Sequence, residues 1–213
     1  LVDTEVRRTW QIGADRVHIQ GRNWPHTLEA IVARAAAGLG VSEPVSADLY
    51  KLLVYDPGSF FVRHRDTEKA PGMFATLVLV LPSICTGGEL MVRHREREVQ
   101  LELRCPEPSD IAFAAFYADC VHEVLPIVAG CRLVLVYKLR RPGKGRLPRP
   151  PSPASGSSPR RPPSSIIARR RQTIPWPRGG DGRGGRDILL PTWAHPPTSG
   201  GGGPNWAQRQ GIP

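Results

Sequence analysis

A chain of 213 residues, 40% hydrophobic and 23% charged, has the apolar content for one packed core of ordinary size, with room for an appendage but not for two full domains. Its formal net charge of +10 is unevenly placed, since residues 1–139 hold 15 Lys and Arg against 17 Asp and Glu while residues 140–213 hold 14 against 2. Basicity therefore belongs to the tail and does not mark the body of the chain as a binder of nucleic acid or of acidic membranes. No run approaches the 18 or so apolar residues of a membrane helix, and no basic-then-apolar export signal opens the chain, so no membrane partner is expected.

The first element in chain order is a helix. Thr27, Leu28, Ile31, Val32, Ala35 and Leu39 recur at helical spacing, with Thr27 placed to cap the start and Gly38 or Gly40 to stop the end. Residues 1–48 are expected to be a helical support region for a β-rich core. From residue 49 the pattern changes to short β-rich runs, at 49–55, 60–65, 73–81, 89–93, 98–103, 111–116, 120–124 and 132–139, separated by Gly, Pro and Asp. Eight such runs behind a single helix predict a mainly β, antiparallel sandwich or barrel rather than alternating β-α units. Asp56-Pro57-Gly58 and the stretch from Pro126 to Gly130 are the best turn signals.

Beyond residue 139 the composition shifts: the last 74 residues hold 15 of the 23 prolines and 13 of the 22 glycines. Stretches such as Arg160-Arg161-Pro162-Pro163 offer too little apolar surface to offset the entropy of ordering the backbone. Residues 140–213 are therefore expected to be a disordered Pro/Gly/Arg-rich tail, with Ile166-Ile167 and Ile188-Leu189-Leu190 as isolated apolar islands. Cys85, Cys105, Cys120 and Cys131 form no CxxC pair and sit in apolar contexts, so they read as buried free thiols, the usage of a reducing compartment such as cytoplasm or nucleus.

The chemistry concentrates in Phe61-Val62-Arg63-His64-Arg65-Asp66. Successive strand side chains alternate faces, so His64 and Asp66 share one side, roughly 6 to 7 Å apart, while Arg65 points away. An imidazole and a carboxylate so placed can take neighbouring positions on one octahedral ion. His122, on a later strand, is the candidate third ligand, completing the two-His, one-carboxylate set that leaves positions open on non-haem iron. The Pro126 to Gly130 turn is expected to bring strand 120–124 beside strand 132–139, so that His122 and Arg132 face one cavity. Arg132 stands among Leu133, Val134, Leu135 and Val136, where a guanidinium needs an anion to offset its desolvation. His-Arg-Asp also begins the protein-kinase catalytic loop, but Pro71 stands where that loop needs Asn, and no Asp-Phe-Gly follows.

Tyr55 with Gly58, His64-x-Asp66, Thr76 ahead of an apolar strand, Gly87-Gly88-Glu89-Leu90, and His122-Glu123-Val124 with Pro126, Gly130 and Arg132 succeed one another in order. In that combination residues 49–139 resemble the catalytic core of the prolyl-4-hydroxylase-like branch of the 2-oxoglutarate/iron(II) dioxygenases. The resemblance implies a double-stranded β-helix (jelly-roll) core, with Fe(II) on His64, Asp66 and His122. It implies 2-oxoglutarate as cosubstrate, with its distal carboxylate on Arg132 assisted by Tyr55, and Thr76 in the cosubstrate pocket. Tyr55 and Thr76 also fit a plain core tyrosine and a β-branched strand residue. O2 is the oxidant and ascorbate a supporting reductant. The implied activity is hydroxylation of an unactivated C–H bond of a prolyl or other protein residue, with succinate and CO2 released; a small-molecule substrate stands behind that.

Two departures stand out. Arg132 takes the place of the Lys of collagen-type enzymes, and Val80 stands where Tyr is frequent in that group. The alternatives from other classes are a non-catalytic β-helix binding module and an oxygenase recruited to nucleic acid by the basic tail. Gly87-Gly88 reads as a device for a turn and close strand approach, because no helix comes after it to bind phosphate. His94 belongs to a charged hairpin, and His18, His26 and His195 have no assigned role.

Overall fold

A computed structural model describes residues 6–66, 70–105, 110–143, 147–149 and 166–173, and beyond Ile166 the backbone alone. The chain divides into two units, Leu1–Pro177 and Arg178–Pro213, of which the second lies outside the described residues.

Two short strands come first, β1 (Arg7–Arg8) and β2 (Trp10–Gly13), then a 3-10 turn and the helix α1 (Trp24–Leu39). The helix starts three residues before Thr27, which is buried inside the first turn rather than capping it. Pro25 explains the earlier start, because a proline in the first turn wastes no amide and has a helical φ already set. Gly40 ends the helix at φ 77°, its N–H reaching the carbonyls of Ala36 and Ala37. Ile31, Ala35 and Leu39 are 0 to 1% exposed, and burial of each large aliphatic side chain contributes about 1.5–3 kcal/mol.

The β region matches the expected runs: β3 (Ser46–Tyr55), β4 (Phe60–His64), β5 (Met73–Val80), β6 (Cys85–Gly87), β7 (Leu90–His94) and β8 (Arg97–Leu101). It continues through β9 (Asp110–Tyr117), β10 (Val121–Val124), β11 (Ile127–Gly130), β12 (Arg132–Arg140) and β13 (Ile166–Thr173). The strands form a mainly β, antiparallel jelly-roll core. Its major sheet runs β13-β9-β5-β12-β3-β2, its minor sheet β1-β4-β10-β7-β8, and β11-β6 form a small third sheet. All eight residues of β9 are buried; α1 packs on this strand, and the Tyr117 hydroxyl donates to the Leu39 carbonyl at 2.9 Å. A strand covered on both faces reads as a continuous apolar run, which is why Ile111 to Phe116 shows no alternation.

Two expectations are corrected. The stretch from Pro126 to Gly130 is not a tight turn, since Ile127–Gly130 is itself a strand paired with Cys85–Gly87. It carries the chain from one sheet to the other, so β10 and β12 are not neighbours: β10 lies between β4 and β7, and β12 between β3 and β5. Second, the assignment of all of 140–213 to a disordered tail fails for Ile166–Thr173, which pairs along β9 with Ile166 buried at 8% exposure. Without it the backbone groups of β9 would form an open edge. The rest of the tail beyond Thr173, with Ile188 to Leu190, lies outside the described residues. Residues 1–48 supply strands as well as the expected helix, because β1 pairs with β4 and β2 with β3.

All four cysteines are free, and Cys85, Cys105 and Cys120 are buried. Burial pushes the thiols of Cys105 and Cys120 up to about 11 and about 12. No helix among the described residues is long and apolar enough to cross a membrane.

Candidate functional site

The minor sheet brings the two histidines together. β10 lies antiparallel beside β4 with His122 directly opposite His64, a position where side chains on one face touch. Their ring centroids are 4.1 Å apart. Each Nδ1 faces a backbone carbonyl, that of Val62 at 2.9 Å from His64 and that of Cys120 at 3.3 Å from His122. An Nδ1–H donating there leaves the lone pair on Nε2, the tautomer a metal ligand requires. The rings are also wedged: Phe61 stacks on His64 at 3.6 Å, and Phe116 lies 4.6 Å from His122.

Asp66 comes two residues after β4 and turns its carboxylate toward this pair. Its Oδ2 is 3.8 Å from His122 Nε2 and accepts a hydrogen bond of 2.6 Å from Thr76 Oγ1 on β5. One ligand atom from each of His64, Asp66 and His122 lies within 4.8 Å of the others. Two imidazoles and a carboxylate converging so closely could hold one metal ion, and donors of this type suit non-haem Fe(II). Thr76 thus grips the carboxylate of the triad across the two sheets.

Across the cavity, on the major sheet, Arg132 opens β12 directly opposite Tyr55 of β3. Arg132 is 3% exposed, its guanidinium lies 5.2 Å from the Tyr55 ring centroid, and Nη1 donates to the Gly88 carbonyl. Its Nε is buried without a hydrogen-bond partner, and no carboxylate of the described residues is paired with it. Burial holds Arg132 below the usual arginine range. Burial also raises the Tyr55 hydroxyl, against the pull of the Arg132 and Arg7 cations. An incoming carboxylate would meet the orphaned donor and offset the desolvation of the guanidinium. Gly88 permits this approach: at φ +74°, an added Cβ would stand 2.3 Å from Ile127 Cδ1 and 3.0 Å from Arg132 Nη2. Close strand approach is thus what Gly88 provides.

A cavity of about 320 Å³ joins the two halves, and His64, Asp66, His122, Tyr55, Thr76 and Arg132 all line it. Sequence patterns missed four other lining residues, Arg7, Tyr50, Lys51 and Lys138. For Lys51 and Lys138 a signal existed, since each is a cation inside an apolar strand, the cue that singled out Arg132. Arg7 had none. Of the remaining histidines, His94 lies away from the triad with Nε2 3.8 Å from Asp119, His18 and His26 are exposed, and His195 lies outside the described residues.

Residues 50–139 match the family model of the 2OG-Fe(II) oxygenase superfamily. This segment belongs to that superfamily. The oxygenase domain so delimited contains the triad, Tyr55, Thr76 and Arg132, and it leaves out α1, β1, β2 and β13, so Arg7 is contributed from beyond it. Among solved structures the chain is similar to a Pseudomonas putida prolyl-4-hydroxylase, at 24% identity, covering 65% of this chain and 75% of that one with a TM-score of 0.45. It is similar to the viral collagen prolyl hydroxylase of Paramecium Bursaria Chlorella virus-1, in its 2OG complex, at 13% identity, 63% and 80% coverage and a TM-score of 0.45. A Trichoplax adhaerens prolyl hydroxylase, in complex with a hypoxia inducible factor peptide, matches at 18% identity, 63% coverage of each chain and a TM-score of 0.42. No curated protein matches the chain.

Proposed function

We propose that this protein is an Fe(II)- and 2-oxoglutarate-dependent dioxygenase that hydroxylates an unactivated C–H bond of a prolyl or other protein residue. The observation that carries this is one cavity with the His64, Asp66 and His122 donors on one side and, on the other, the buried Arg132 guanidinium with its Nε unpartnered. Both features fit the absent groups. Three donors of this type suit a divalent iron and leave coordination positions for others, and a buried cation lacking an anion suits the far carboxylate of 2-oxoglutarate.

Bound together, iron and 2-oxoglutarate supply the oxidising chemistry, with O2 consumed and succinate and CO2 released; ascorbate sustains it as reductant. The chain's own residues do the positioning. His64, Asp66 and His122 hold the ion, and their hydrogen bonds to Val62, Cys120 and Thr76 keep the ligand atoms aimed. Arg132 clamps the distal carboxylate, and Tyr55, beside it, adds a hydroxyl donor. Apolar side chains such as Leu53, Val78, Val80 and Val134 complete the walls and exclude water, which strengthens each electrostatic contact.

The test is mass spectrometry of candidate peptides incubated with the protein, iron(II), 2-oxoglutarate and ascorbate. A gain of one oxygen atom, with iron-dependent succinate release, is expected. A chain that binds no divalent metal and releases no succinate would overturn the proposal.

A further inference from the structure

His64 is held by a segment of the chain that precedes the oxygenase domain. β1 is two residues long, yet it covers the edge of β4, with Arg7 opposite Phe61 and Arg8 opposite Phe60. One residue earlier, the Val6 carbonyl accepts a hydrogen bond of 3.0 Å from the Val62 N–H. Phe61 and Val62 are the two residues that orient His64. The first stacks on its ring at 3.6 Å, and the carbonyl of the second faces its Nδ1 at 2.9 Å. Residues 6 and 7 thus take hold, by backbone or side chain, of both residues that aim this histidine.

The Arg7 guanidinium lies over the Phe61 ring, 5.2 Å from its centroid, and Nη2 donates to Gln11 Oε1 at 3.1 Å while Nε is buried with no hydrogen-bond partner. A cation over a ring face is held more strongly as water is excluded. From Phe61 the ring contacts run on without a break, to His64 at 3.6 Å, from His64 to His122 at 4.1 Å and from His122 to Phe116 at 4.6 Å. The two ends of this series differ. Phe116 is completely buried in β9, whereas Phe61 is half-buried on β4, so core packing fixes one end and Arg7 closes the other. The N-terminal arm is itself anchored, since Trp10 Nε1 donates to Asp56 Oδ2 at 3.2 Å and β2 pairs with β3 in the major sheet.

We propose that Arg7 is a positioning residue of the metal site, acting through Phe61 to fix the His64 ring, so that the arm belongs to the site although it lies outside residues 50–139. The proposal rests on the metal-binding role of His64, Asp66 and His122 advanced above. Groups that orient a metal ligand change metal affinity by roughly 10- to 100-fold, and a ring held on both faces loses less freedom when it binds an ion than one held on a single face. Coupling of this kind is reciprocal. Docking of the arm and occupancy of the triad therefore stabilise one another.

The test is titration of the full chain with Mn(II), which reads binding without turnover. Phe61→Leu is expected to weaken Mn(II) binding about tenfold and Arg7→Met about three- to fivefold, while Phe61→Tyr and Arg7→Lys stay within about twofold of the wild type. Because Arg7 acts through Phe61, the double variant Arg7→Met/Phe61→Leu should bind no more weakly than Phe61→Leu alone. Arg16→Met alters an exposed arginine of the 3-10 turn and should bind as the wild type does, and circular dichroism verifies each fold. Should Phe61→Leu lose its fold, Arg7→Met against Arg7→Lys and Arg16→Met decides. Hydrogen exchange of residues 6–10 should slow at least about threefold when Mn(II) binds the wild type. Wild-type affinity in Arg7→Met, equal losses in Arg7→Met and Arg7→Lys, additive losses in the double variant, or exchange at 6–10 that Mn(II) leaves unchanged each overturns the proposal. A wild-type chain that binds no Mn(II) defeats the metal site and this inference with it, whereas binding indifferent to Arg7 and Phe61 defeats only the role of the arm.

Discussion

The two sheets that enclose the site are built differently, and each holds a different part of it. In the major sheet β5 and β9 are covered on both faces, with Ala75, Leu77, Leu79 and Phe116 all completely buried. The minor sheet is thinner, with Val62 at 37% exposure and Arg63 turned outward to an ion pair with Glu123 at 2.8 Å. The packed sheet carries Arg132 and Tyr55, the proposed holders of a carboxylate, while the thin sheet carries both histidines. Side chains on a close-packed wall are aimed largely by packing, to which Arg132 adds its hydrogen bond to the Gly88 carbonyl. Those on the thin sheet are aimed by hydrogen bonds to their own backbone and by ring stacking, and the ion itself would complete the work by tying β4, β10 and Asp66 together.

This contrast can be broken where it is sharpest. His64→Ala removes one of three metal donors from the thin sheet and should lower 2-oxoglutarate turnover by more than the roughly 10- to 100-fold typical of residues that only orient a ligand. The circular dichroism spectrum should stay that of the wild type, because the major sheet is untouched; turnover near wild type would remove His64 from the site. Arg132→Ala strikes the other wall. Charge-assisted hydrogen bonds are worth about 1.5–3 kcal/mol, so half-maximal succinate release should need about 10- to 100-fold more 2-oxoglutarate, and an unchanged requirement would show that the carboxylate is held elsewhere.

Thr76→Val cuts the hydrogen bond that links the major sheet to Asp66. A loss of about tenfold in Mn(II) affinity, toward the lower end for such partners, is expected by titration, with no loss of secondary structure. Wild-type affinity would mean that the bond orients nothing. The smallest effect concerns dynamics. At a hundredfold excess over its dissociation constant, Mn(II) should add about 2.7 kcal/mol of stability. Hydrogen exchange should slow most in β4 and β10 and little in β5 and β9, and uniform slowing would erase the distinction between the sheets.

The eight long runs from Leu49 to Leu139 were legible because their apolar pattern is local and each has enough residues to show it. So were His64-x-Asp66, His122 and Arg132, whose types and spacing declare a chemistry. The short strands were not: Arg7–Arg8, Cys85–Gly87 and Ile127–Gly130 have two to four residues each, too few for a period. They exist because a neighbour's backbone needs partners. The same need draws Ile166–Thr173 out of a Pro- and Gly-rich tail to cover β9.

By itself the order of amino acids put His64 and Asp66 two residues apart at the end of a strand run, offered His122 as a candidate third ligand, and set a costly guanidinium at Arg132. These are consequences of strand geometry and of desolvation, both of which act over a few residues. Tertiary structure alone decided that the histidines pair on one sheet while Arg132 lines the same cavity from another, and that Thr76 holds Asp66. Strand pairing is settled by contacts between residues far apart in the chain, and no local pattern encodes which edges will meet.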